Sequence, residues 1–90
     1  ASLYSVASYA EAIELANVLD YGLGSAFWST DAREIERAQR EIEAGAVFIN
    51  GMTISYPELP FGGIKRSGFG RELSAEGIRE FCNLKTTWIA

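Results

Sequence analysis

Ninety residues with eight Lys or Arg against twelve Asp or Glu carry a net charge of −4, and that field argues against phosphate backbones and anionic lipid as partners. Hydrophobic residues make up 48% and aromatic residues 12% of a chain without low-complexity tracts, so it is globular, although a chain this short is only marginally able to build its own core. No histidine and a single cysteine, Cys82, are present, which excludes Ser/His/Asp and Cys/His catalysis, a His-containing or Cys₄ zinc site and an internal disulfide.

In chain order, Ser2 to Val6 alternate as a short strand would. Ser8 and Glu11 then form a capping box, and Ala12, Leu15, Ala16 and Leu19 mark the face of a helix that Gly22 closes in a left-handed conformation. Ser25 to Ser29 reads as a buried strand. Asp31 and Glu34 begin a second helix with Ile35, Ala38 and Ile42 inward, Arg33, Glu36, Arg37, Arg40 and Glu41 outward, and Gly45 at its close. Ala46 to Asn50 reads as a strand covered on both faces. The order strand, helix, strand, helix, strand with short connections predicts an α/β fold, βαβαβ with parallel strands.

From Gly51 to Leu73 the chain holds both prolines and five of its nine glycines without periodicity, which is long for a connection without a task. Ser74 then caps a short helix reaching Phe81, with Ile78 and Phe81 inward, and Leu84 to Ile89 reads as a terminal strand that needs a sheet edge in this chain or another. No apolar run reaches the roughly 18 residues of a membrane span, and the N-terminus lacks a signal-peptide pattern. A soluble, cytoplasmic protein is the expectation.

The segment from Pro60 to Glu72 (PFGGIKRSGFGRE) invites comparison with phosphate-binding loops and fails it. Gly68 is followed by Phe69-Gly70 where a P-loop needs Lys-Ser/Thr, and Leu73 stands where a dinucleotide fingerprint has its third glycine. The same residues, preceded by an apolar strand ending in Asn50 and followed by a helix and K-T-x-x-I, resemble the C-terminal region of the aldehyde dehydrogenase superfamily. EAIELAN at Glu11 to Asn17, YGLGSAFWS at Tyr21 to Ser29 and EAGAVFIN at Glu43 to Asn50 extend the resemblance over the chain. FGGIKRSGFGREL with GIREF-N-KT looks closest to succinate-semialdehyde dehydrogenases.

The resemblance implies one part of the catalytic domain of a larger enzyme that oxidises an aldehyde through a thiohemiacetal and a thioester on cysteine. The catalytic Cys, the general-base Glu and the NAD or NADP domain would lie in the rest of the parent polypeptide, leaving this chain inactive alone, with no catalytic, cofactor-binding or metal-binding residue of its own. Residues 1–83 would belong to the catalytic α/β domain, with a substrate-pocket loop at residues 50–73, and residues 84–90 would be an oligomerisation strand, making a homo-oligomer. Ser55 falls where the family's succinate-semialdehyde enzymes place a serine that hydrogen-bonds the distal carboxylate; a loop serine bonded to its own backbone is the competing reading. Phe61 would wall the pocket. Arg71 and Glu72 would serve inter-subunit structure, with Asn83 giving Arg71 a neutral partner where some relatives have an acidic one. Cys82, at a helix end, reads as a small buried hydrophobe.

Two other readings stand beside this one. One is a free-standing βαβαβ module that binds an anion or a partner chain through the Gly62 to Arg71 loop and its basic cluster Lys65, Arg66 and Arg71. The other is a fragment whose uncovered surfaces drive self-association.

Overall fold

The computed structural model describes all residues 1–90. Its first regular feature is the helix start predicted at Ser8: the Ser8 hydroxyl accepts from the Glu11 amide at 3.2 Å, and the Glu11 carboxylate reaches back to the Ala7 amide, one residue before the N-cap, at 2.8 Å. Helix α1 (Tyr9–Asn17) starts there. Residues 2–6 form no strand. An alternating segment becomes a strand only against a sheet edge, and both ladders of this chain are built from other segments.

Helix α1 docks through Tyr9, Ile13 and Asn17, one residue per turn, rather than through the Ala12, Leu15, Ala16 and Leu19 stripe; Ile13 is buried, while Leu15 and Leu19 are exposed. Asn17 selects the face. Its carboxamide donates to the Glu41 carbonyl at 2.7 Å and accepts from the Glu43 amide at 2.8 Å, which clamps α1 to the chain leaving the second helix. Tyr9 lies edge-on to Phe27, with ring centroids 5.8 Å apart, and beneath the Arg37 guanidinium at 4.7 Å. Burial holds the Tyr9 phenol above its ordinary pKa.

Strand β1 (Tyr21–Gly22) follows, and strand β2 (Gly24–Phe27) lies parallel to β3 (Ala46–Ile49), in register from Gly24 opposite Ala46 to Phe27 opposite Ile49. The crossover between them contains helix α2 (Ala32–Glu41), whose N-cap Asp31 accepts from the amides of Arg33 at 2.8 Å and Glu34 at 3.2 Å. Its inner face buries Ala38 completely. Its outer face carries the i,i+4 pairs Arg37–Glu41 at 2.7 Å and Arg40–Glu36 at 2.6 Å, both exposed and so screened by solvent. β1 pairs antiparallel with β4 (Ile64–Lys65) in a separate two-stranded ladder. The chain is thus a small α/β structure with one parallel βαβ unit where two were expected.

Two glycines expected to end helices do something else. Neither Gly22 nor Gly45 has a positive φ. A methyl on Gly22 would collide with the Glu43 carbonyl oxygen and one on Gly45 with the Gly62 carbonyl oxygen, so both allow backbones to touch. Helix α3 (Ser74–Arg79) is capped at Leu73 without a side-chain bond, and Ser74, one position further in, accepts from the Glu76 amide at 3.3 Å. That serine hydroxyl also bonds the Glu76 carboxylate and holds its pKa below the ordinary value. Ile78 and Phe81, expected inward, are 71% and 95% exposed, and residues 84–90 form no strand. The face meant for a core has nothing in this chain to pack against.

Only five of ninety residues are buried, three of them glycines, leaving Ile13 and Ala38 as the apolar core. The accessible surface is 7411 Å², whereas a compact monomer of this mass exposes about 5,200 Å². The radius of gyration is 16.7 Å, against about 12 Å for a compact chain of this length.

Candidate functional site

The segment from Asn50 onward leaves the sheet under tight control. Asn50 has φ of 53°, a left-handed conformation that asparagine tolerates better than most residues. Its amide donates to the Phe27 carbonyl at 2.8 Å, its carboxamide donates to the Ser29 carbonyl at 3.0 Å, and it accepts from the Ser29 amide at 3.0 Å. The side chain thereby extends the β2–β3 ladder beyond the strands' ends. Thr53 then crosses the start of β2, where a methyl on Gly24 would lie 2.8 Å from the threonine methyl. A turn closes with the Leu59 amide on the Tyr56 carbonyl at 3.1 Å, and the Ser74 amide holds the Pro57 carbonyl at 2.9 Å.

Between β3 and this segment lies an apolar concavity of about 360 Å³, lined by residues that include Phe48, Ile49, Ile54, Tyr56, Pro60 and Phe61. The Phe48 and Tyr56 rings lie 6.5 Å apart across it. Phe61 is half-buried and forms part of the wall. Ser55 is not among the lining residues; it stands exposed between Ile54 and Tyr56, which are. Its hydroxyl makes no hydrogen bond within the chain, so the geometry lacks the backbone-satisfied loop serine of the competing reading.

Phe61 is fixed at the mouth of a closed loop. Its amide donates to the Glu72 carbonyl and the Glu72 amide donates back, both at 2.8 Å, in an isolated antiparallel bridge. Inside the loop the polar residues face the protein's own backbone. Lys65 Nζ donates to the carbonyls of Asn17 at 3.0 Å and Leu19 at 3.2 Å at the end of α1, and pairs with Glu43 at 2.5 Å. The Ser67 hydroxyl accepts from the Gly22 amide at 2.9 Å. Arg71 donates one guanidinium nitrogen to the carbonyls of Gly63 at 3.0 Å and Gly70 at 2.6 Å. Arg66 lies over the Tyr21 ring at 5.8 Å.

These engagements bear on two readings. A pyrophosphate or phosphate cradle needs converging free donors, but Lys65 and Arg71 are tied to carbonyls within the chain. The loop therefore fits neither a dinucleotide nor the anion-binding module. Arg71 also has no bond to Asn83; its guanidinium takes loop carbonyls instead. Cys82 is exposed rather than buried, with its thiol donating to the Ile78 carbonyl at 3.6 Å. Helix α3 offers its end no cover, and the burial expected of a lone cysteine depends on a packed neighbour.

Sequence reasoning passed over Asn17, Asn50 and Ser67 as fasteners and placed Lys65 in a free basic cluster. Asn50 left a signal, since an asparagine directly after an apolar strand is a candidate for positive φ. Lys65 left none, because its acceptors lie 46 and 48 residues away.

Comparison with known proteins places these features in context. Residues 1–87 match the model of the aldehyde dehydrogenase family. Succinate-semialdehyde dehydrogenase [NADP(+)] 1 of Mycobacterium ulcerans (strain Agy99) is 64% identical over 89 residues, 99% of this chain and 19% of that protein. Among solved structures, one described for cofactor and substrate selection by Gox0499 superposes with a TM-score of 0.88 at 55% identity, covering 94% of this chain and 19% of that one. The succinic semialdehyde dehydrogenase of Streptococcus pyogenes, in complex with NADP+, superposes with a TM-score of 0.85 at 48% identity, covering 93% and 18%. The chain thus spans about a fifth of the length of the relatives it matches.

Proposed function

Because this chain belongs to the aldehyde dehydrogenase family, we propose that it is the C-terminal part of an NAD(P)-dependent enzyme that oxidises a semialdehyde, succinate semialdehyde above others, to the acid. In this reading residues 50–73 form one wall of the substrate tunnel, and the reactive cysteine, the general base and the cofactor site belong to the rest of the polypeptide. Residues 1–83 are part of the catalytic domain, and residues 84–90 add a strand to another subunit. The exposed state of Leu84, Trp88 and Ile89 supports the last assignment, since such side chains need a cover that this chain lacks.

The observation that carries the substrate reading is the unengaged Ser55 hydroxyl at the margin of an apolar concavity walled by Phe61. An apolar wall suits the short carbon chain of a semialdehyde, and a free donor beside it suits the anionic far end. The names of the mycobacterial and streptococcal relatives point to the same substrate and to NADP as electron acceptor.

The test is Ser55→Ala in the intact parent enzyme, comparing succinate semialdehyde with an uncharged aldehyde of equal length. Loss of a hydrogen bond to a carboxylate costs about 1.5–3 kcal/mol, so kcat/KM should fall by about tenfold to a hundredfold for the semialdehyde and stay near wild type for the other. Equal losses on both would dismiss the carboxylate role.

A further inference from the structure

Phe61 occupies an unusual position in this chain. It walls the apolar concavity beside β3 on one side and, on the other, a second hollow of about 400 Å³ bounded by Gly62, Gly63, Gly70 and Arg71. A ring between two open volumes is not held by packing alone, and Phe61 is only half-buried. Its backbone is held instead by the reciprocal bonds with Glu72 at 2.8 Å.

Arg71 precedes Glu72 and reaches back over the same loop. One of its guanidinium nitrogens joins the Gly63 and Gly70 carbonyls, two residues beyond Phe61 and two before Glu72. Its own amide donates to the Glu80 carboxylate at 3.2 Å, which ties the end of the loop to the C-cap of α3. A methyl on Gly62 would lie 2.8 Å from Arg71 Cδ, so the arginine stem also lies close against the backbone next to Phe61. Both ends of the bridge are therefore held by a single side chain.

We propose that Arg71 is a positioning residue: by joining the Gly63 and Gly70 carbonyls it holds the Phe61–Glu72 bridge closed and so sets where the Phe61 ring stands in the substrate wall. The inference rests on the tunnel reading for its effect on catalysis, but the lock itself is a property of the loop.

The experiment uses the intact parent enzyme and separates these parts. Arg71→Met keeps the stem beside Gly62 and removes the donor, whereas Arg71→Lys keeps an ammonium able to donate to both carbonyls. Hydrogen exchange reads the lock without any substrate: amides in peptides carrying Phe61 and Glu72 should exchange up to about tenfold faster in Arg71→Met, the change that one hydrogen bond's net worth allows. The β2–β3 amides should not change, and Arg71→Lys should recover most of the protection. Unaltered exchange at Phe61 and Glu72 would overturn the lock.

Kinetics reads the consequence. Arg71→Met should lower kcat/KM for an aldehyde by up to about a hundredfold, and it should cost little more when Phe61 is already alanine, because two residues acting through one ring are not additive. A loss of equal size in the Phe61→Ala background would overturn the positioning role. If Arg71→Met does not fold, Arg71→Gln, whose shorter side chain cannot join both carbonyls, carries the same cycle against Phe61→Ala. Faster exchange in an enzyme that oxidises no aldehyde would sink the tunnel reading and leave the lock standing.

Discussion

Asn50 replaces backbone with side chain at the point where the ladder ends. Two of its hydrogen bonds come from the carboxamide, and a third from an amide whose φ of 53° an alanine adopts only with strain. Asn50→Gly should therefore destabilise the parent enzyme through the two lost bonds, by about 1–3 kcal/mol. Asn50→Ala should cost about 1 kcal/mol more through the left-handed backbone. Denaturant midpoints at unchanged slope check the order. A glycine variant as stable as wild type would show that the side-chain bonds do not matter, and an alanine variant equal to glycine that the backbone carries no strain. Lys65 follows the same logic over a longer reach, tying the carbonyls of Asn17 at the end of α1 and of Leu19 beyond it to Glu43 and β4.

At the scale of elements, the chain holds its pieces together by letting backbones touch. Gly45 and Gly62 meet with no room for a methyl, whereas a methyl on Gly51 would meet only the Ile49 carbonyl oxygen at 3.8 Å. Gly45→Ala is thus expected to destabilise by about 1–3 kcal/mol, as overpacking does, and Gly51→Ala to stay within about 0.5 kcal/mol. Thermal unfolding of both variants of the parent enzyme checks this, and an equal shift in the two would mean the close approach relaxes cheaply. The capping signals at Ser8 and Asp31, helix α2 and the strand at Ala46 were legible because each rests on residues within one or two turns. The docking face of α1, the true work of Gly22 and Gly45 and the lock on Phe61 were not, because their partners lie in distant segments. The inward faces expected of Ile78 and Phe81, and the burial expected of Cys82 from its residue type, failed for another reason: neither periodicity nor residue type tells what stands opposite.

For the molecule as a whole, the surplus of surface is the dominant fact. A parallel pair of strands is ordinarily covered on both faces and extended by further strands, and here it has one helix across it and an apolar core of Ile13 and Ala38. The chain studied alone should oxidise no aldehyde with either nicotinamide, unfold without a sharp transition and self-associate in light scattering. A clean monomer with a cooperative melt would contradict the reading that its neighbours complete it, and turnover by the purified chain would contradict the placement of the reactive cysteine elsewhere. The side chains left open to water, Leu3, Phe69, Phe81, Leu84 and Trp88 among them, also decide how long such a polypeptide lasts. Chaperones and proteases act on exposed apolar segments, so the ninety residues expressed by themselves should be degraded faster than the parent enzyme, and the ratio of the two lifetimes would measure how much protection the missing cover gives.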